Sequence, residues 1–175
     1  RVGAHAQFTA SGTRPLVTGT DTGKDVFQIA DDSSLVGLDI SGGKNGVSGE
    51  SVTGFTLRGL QVSGASNDGV HLTGTNSGMM SGNAATSNNG DGFALDAFRG
   101  GTISGNAATN NSDGGFQIGG PGPFDGDGFG LSNTPTFGSN VSTDNTAQGY
   151  NIEGTPQTGK NTNTGSGNEG GHNDF

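Results

Sequence analysis

Residues 78–95 read GMMSGNAATSNNGDGFAL and residues 101–118 read GTISGNAATNNSDGGFQI, and ten of the eighteen positions agree at a shift of 23. Extending that shift outward organises most of the chain. Val70 falls in one column with Phe93 and Phe116, and Leu72 in a second with Leu95 and Ile118. Both columns resume at Tyr150 and Ile152, 34 residues on, which is one period of 23 plus an 11-residue insertion. Leu57, Met80, Ile103 and Phe137 make a third apolar column with spacings of 23, 23 and 34. A repeat of this length is one supersecondary unit that cannot bury its apolar side alone, so neighbours must stack.

Polar residues obey the same arithmetic. Asn83, Asn106, Asn140 and Asn161 are spaced 23, 34 and 21, while Ser63, Thr86, Thr109, Thr143 and Thr164 are spaced 23, 23, 34 and 21. An in-register Asn column at a buried turn satisfies its amides with those above and below it. Within each repeat, apolar and polar residues alternate, as at Phe93–Leu95 and Phe116–Ile118, between Asn-Gly, Asp-Gly or Ser-Gly turns. Period two means strand. With 37 Gly in 175 residues, a helical reading loses about 1 kcal/mol per interior glycine relative to Ala. The expectation is an all-β chain of about six coils of 20–23 residues, stacked about 4.8 Å apart.

Composition narrows the function classes. Seven basic residues against sixteen acidic ones give a net charge of −9, which supplies no phosphate-neutralising patch and argues against a nucleic-acid partner. No apolar run approaches the roughly 20 residues of a membrane-spanning helix. With no Cys, disulfides, thiolate metal sites and Cys nucleophiles are absent. Only 27% of residues are hydrophobic, which a narrow coil interior accommodates, because one or two side chains per strand fill it.

The units SGNAATSNNGDGFAL and SGNAATNNSDGGFQI, with their aliphatic and Asn columns, resemble the repeats of right-handed parallel β-helix proteins of the pectate-lyase-like superfamily. The resemblance covers about residues 25–170 and implies a single right-handed parallel β-helix with three strands per coil. Residues 1–24 are then an irregular first coil or cap, and 119–133 hold the inserted loop. The architecture hosts lyases, hydrolases, epimerases, tailspikes and adhesins alike. Polygalacturonases carry an Asp-Asp pair, Gly-His-Gly and Arg-x-Lys, and alginate epimerases carry Asp-Pro-His; none of these strings occurs here.

Several residues are candidates for chemistry. Asp68 and Asp91 share a coil position, which predicts a separation near that of the paired carboxylates of retaining glycosidases. Both also sit in Asp-Gly dipeptides that a turn alone explains. His71, between Val70 and Leu72, is expected to point outward beside Thr73, Asp96 and Glu153, with Arg99 following shortly after; the resemblance to pectate lyases implies a base or charge clamp for that Arg. Phe124 and Phe129 in the insertion are candidates for stacking on sugar rings, with Asp96 as a further ligand contact. Asp125 and Asp127 in DGDG match half of a Ca²⁺ loop. Ice binding requires a flat double Thr array, and the repeats supply one continuous Thr column.

Neither end of the sequence shows an amphipathic capping helix, so the chain is expected to belong to a longer surface or appendage assembly, or to self-associate end to end. The preferred expectation is a non-catalytic extracellular or cell-surface structural or adhesive rod, with a polysaccharide or cell-surface glycan as partner and either no cofactor or Ca²⁺. The alternative is a polysaccharide lyase or glycoside hydrolase acting on an acidic glycan through Asp68, Asp91, His71 and Arg99.

Overall fold

The computed structural model describes residues 13–119, 131–132, 136–152 and 163–169. No helix occurs among them. Leu16–Gly19, Asp39–Gly42, Gln61–Ser63, Ala84–Thr86, Ala107–Thr109, Val141–Thr143 and Thr164–Ser166 stack in that order into a seven-stranded parallel sheet. A second face begins at Phe27–Gln28 and continues through Val47–Glu50, Val70–Ser81, Phe93–Ser104, Phe116–Ile118 and Tyr150–Ile152. The third face carries Ser34–Val36, Thr53–Arg58, the far halves of Val70–Ser81 and Phe93–Ser104, and Thr136–Gly138. The fold is a parallel β-solenoid whose seven passes along the first face agree with the expected count of about six coils.

The two longest strands turn the corner between the second and third faces through register shifts at Leu95/Ala97 and Phe98/Gly101. Gly101 has φ +99, and a Cβ there would lie 2.1 Å from the Gly78 carbonyl oxygen, so only glycine fits. The 23-residue columns are literal neighbours. Phe93 pairs with Val70 and Phe116, Phe116 with Tyr150, and Ile103 with Met80 and Phe137. The spacing of 23 ends after Ile118; it is 33 at Leu131, which pairs with Phe98, and 34 from Thr136, which pairs with Thr102.

The core tapers in a compensated way. Along the inner side of the first sheet the residues run Ile40, Val62, Ala85, Ala108, Ser142, and on the facing sheet they run Val47, Val70, Phe93, Phe116, Tyr150. The loss of volume from Val62 to Ala85 on one side accompanies the gain from Val70 to Phe93 on the other, in keeping with an interior of crystal-like density. The enlarged side chains are aromatic and stack, with Phe93–Phe116 centroids 4.8 Å apart and Phe116–Tyr150 centroids 5.1 Å apart. Phe137 meets Phe116 and Tyr150 edge-on. Ser142, fully buried at the narrow end, is satisfied by the Asn145 side chain.

Two amide ladders hold the turns flanking the first sheet. In one, Asn83 Nδ2 donates to Asn106 Oδ1, Asn106 Nδ2 to Asn140 Oδ1 and Asn140 Nδ2 to Asn163 Oδ1 at 2.9, 3.0 and 3.0 Å. In the other, Asn88, Asn111, Asn145 and Asn168 repeat the arrangement at 3.0, 2.9 and 2.9 Å. The first ladder corrects the expected register of the last coil. Its fourth member is Asn163, not Asn161, and Thr143 pairs with Ser166 while Thr164 pairs with Val141. A slip of two residues keeps every side chain on its face, so alternation alone does not distinguish the two registers. Asn161 itself lies outside the described residues.

Candidate functional site

The second face and its preceding turn carry the titratable residues singled out by the sequence. Val70 and Leu72 are buried, which sends His71 outward between Ser48 and Ala94 of the adjacent strands. The turn before it is an Asp-Gly step. Gly92, the equivalent glycine one coil on, has no room for a side chain, because a Cβ would lie 2.7 Å from Ala108 Cβ and 2.9 Å from the Gly115 carbonyl oxygen. The close approach of the facing sheet fixes the glycine, and the turn places the Asp beside it.

Asp68 is 6% exposed and fully engaged. Its Oδ1 accepts the Asp91 N–H at 2.8 Å, and its Oδ2 accepts Asn67 Nδ2 at 2.8 Å and faces His71 Nδ1 at 2.6 Å. Asp91 Oδ1 accepts the Gly114 N–H at 2.7 Å. The same relation extends backward, since Asn45 Oδ1 accepts the Asp68 N–H and Asp25 Oδ1 accepts the Asn45 N–H. Asp25, Asn45, Asp68 and Asp91 therefore form a third coil-to-coil column, ending where the chain carries Gly114. Sequence reasoning found two of its members. The recurrence of Asp or Asn two residues ahead of Phe27, Val47, Val70 and Phe93 was the available signal for the others.

Electrostatics distinguish the pair. Burial, then the charges of Asp68 and Asp113, pushes Asp91 up to about 7. The bond to Asp68 raises His71 above its ordinary value, opposed by partial burial and by Lys44 and assisted by the charges of Asp68 and Asp96. Asp96 is tied to the neighbouring coil through the Gly74 N–H at 3.1 Å. With Nδ1 committed to Asp68, the His71 Nε2 has no partner among the described residues. The structure thus brings together Asp68, Asp91, His71 and Asp96. It leaves Arg99 apart: that residue is exposed, pairs with Ser132, and is not among the charges acting on His71 or Asp91.

Phe124, Phe129, Asp125, Asp127 and Glu153 lie outside the described residues. Among the described residues no three His, Asp or Glu side chains converge as a metal site. A shallow cleft of about 220 Å³ opens on the same face nearer the amino-terminal coils, lined by Gln28, Ile29, Ala30, Asp31, Glu50, Ser51 and Val52. Its Asp31 carboxylate is occupied by the Thr53 N–H and hydroxyl.

With parallel coils stacked in continuous register along the first face and side-chain ladders at the turns, the class is that of stacked β-solenoids. The chain belongs to the right-handed β-helix family: the family model described as "Right handed beta helix region" matches residues 18–173. The pectate-lyase-like resemblance is consistent with that membership. No curated protein matches the chain, and no solved structure does.

Proposed function

We propose that the chain is a non-catalytic structural and adhesive rod that works outside the cell or at its surface, as a segment of a longer assembly. The observation that carries this reading is the use made of the two candidate catalytic carboxylates. Asp68 and Asp91 each accept a backbone N–H from the next coil, so they serve the stack as the Asn ladders do. The seven-stranded sheet supplies the adhesive face. Its outward positions include an unbroken hydroxyl column, Thr18, Ser41, Ser63, Thr86, Thr109, Thr143 and Ser166. Hydroxyls repeated at strand spacing suit a polysaccharide partner laid along the rod.

The test is incubation with insoluble and soluble glycans, acidic and neutral, scored both for retention of the protein and for release of shortened or unsaturated products. Retention without product is the expected result. The second reading, a polysaccharide lyase or hydrolase, is favoured by one observation: a carboxyl pushed to about 7 beside a His–Asp pair has the protonation behaviour of a general acid or base. Product release that disappears in Asp91→Asn, a change that keeps the Oδ1 acceptor, would establish it.

A further inference from the structure

The chain contains two Asn-x-Ser tripeptides, Asn110-Asn111-Ser112 and Asn140-Val141-Ser142. This is the acceptor pattern for N-linked glycan transfer, which needs a reachable Asn amide with the Ser hydroxyl beside it. The fold sets the two tripeptides in opposite phase. In the second, Asn140 and Ser142 are fully buried while Val141 is 39% exposed. Asn140 Nδ2 donates to the Ile103 carbonyl at 3.1 Å and to Asn163 Oδ1 at 3.0 Å, and Ser142 Oγ accepts Asn145 Nδ2 at 3.1 Å.

In the first tripeptide the middle residue is the buried one. Asn111 Oδ1 accepts Asn88 Nδ2 at 3.0 Å and Asn111 Nδ2 donates to Asn145 Oδ1 at 2.9 Å, which holds that side chain inside. The flanking Asn110 and Ser112 are exposed, and neither side chain has a partner among the described residues. Their backbone alone is engaged: the Asn110 N–H donates to the Thr143 carbonyl at 3.1 Å and the Ser112 N–H to the Asn88 carbonyl at 2.9 Å. Ser87, Asn110 and Asp144 hold the same turn on successive coils with φ of 56, 55 and 53, a left-handed backbone that Asn tolerates. Of the three, Asn110 carries the amide.

We propose that Asn110 is an acceptor for N-linked glycosylation of the folded chain and that Asn140 is not. The donor is an oligosaccharide carried on a lipid diphosphate, and an oligosaccharyltransferase brings the two together. Asn110 Nδ2 forms the bond to the anomeric carbon, the bond from that carbon to the diphosphate oxygen breaks, the lipid diphosphate leaves with the bonding pair, and Nδ2 gives up one proton. A glycan on Asn110 disturbs none of the coil-to-coil bonds, because the amide it uses makes none. One on Asn140 would put bulk into a fully buried turn and displace a member of the first ladder. Only the chain's encounter with such a transferase depends on the extracellular reading.

The test incubates the purified, folded chain with an oligosaccharyltransferase and a lipid-linked oligosaccharide, then maps the modified Asn by mass spectrometry of proteolytic peptides. The expected product carries one glycan, at Asn110. It is lost in Asn110→Gln and in Ser112→Ala and kept in Ser112→Thr, which retains the hydroxyl. Each substitution alters an exposed side chain without a partner among the described residues, so the fold is expected to persist, and circular dichroism checks it. An unmodified Asn110, equal occupancy of Asn140, or a glycan that survives Ser112→Ala would overturn the assignment. Each of these results bears on the acceptor site alone, since retention on glycans tests the adhesive reading separately.

Discussion

Asn83 and Asn106 lie one above the other with their amides joined: Asn106 Oδ1 accepts both the Asn83 N–H, at 3.1 Å, and Asn83 Nδ2, at 2.9 Å. Asn106 Nδ2 in turn donates to the Met80 carbonyl and to Asn140 Oδ1, each at 3.0 Å. One side chain thus closes four bonds in a buried turn. Such a network specifies register as well as adding stability, since a displaced coil leaves several buried groups unpaired.

Asn106→Ala is expected to destabilise the fold by about 3 kcal/mol or more, because each buried group left unsatisfied costs roughly 1–3 kcal/mol. Asn163→Ala, at the half-buried end of the same ladder, should cost less. Chemical denaturation of both variants measures the difference, and equal losses would show that burial along the ladder does not matter.

The compensated core makes a second expectation. Ala85→Val forces volume into a fully buried position and should cost about 1–3 kcal/mol, and Phe93→Val alone should cost a similar amount through the cavity it leaves. Combined, the two changes repeat at both positions the residues one coil earlier, Val62 and Val70. The double variant is expected to be more stable than the sum of the singles by at least about 0.5 kcal/mol, the scale of coupling between residues that share a core cavity. Simple additivity in a double-mutant cycle would count against the size exchange.

Global stability should fall as pH rises across neutrality. Asp91 is raised from 3.8 to about 7, so its contribution, present in acid, declines between about pH 4 and pH 7, and that of His71 declines above its ordinary 6.5. The total is expected to be a few kcal/mol, at about 1.4 kcal/mol per pKa unit and less where solvent screens the group. Denaturation midpoints measured from pH 4 to 9 should slope downward in the native sequence and flatten in Asp91→Asn.

The fold was legible because a solenoid writes its third dimension into its sequence: residues 23 apart, such as Phe93 and Phe116, are spatial neighbours. The insertion was legible for the same reason, as a jump in spacing. What periodicity did not resolve was a slip of two residues at Asn161 against Asn163, where both registers preserve the inside–outside pattern. Nor did it single out the Asn88 ladder, although that column keeps spacings of 23, 34 and 23. The candidate site was legible as a set of residue types. Its meaning was not, because which oxygen of Asp68 accepts which N–H depends on turn geometry, and the elevation of Asp91 depends on burial beneath the next coil. Arg99 was placed near the site by sequence distance, whereas the corner in its strand turns it onto another part of the surface.

Paired cysteines on the seven-stranded sheet test the stacking register most directly, because the chain has no native Cys. Thr86 and Thr109 are in-register neighbours, as are Thr109 and Thr143 despite the 34 residues between them. Adjacent strands lie about 4.8 Å apart, within disulfide reach. Oxidation of the Thr86→Cys/Thr109→Cys and Thr109→Cys/Thr143→Cys variants is expected to give near-complete intrachain disulfides with the fold retained, while Thr86→Cys/Thr143→Cys, two strands apart, stays reduced. Failure of the neighbouring pairs to close, or equal closure of the distant one, would contradict the stacked solenoid.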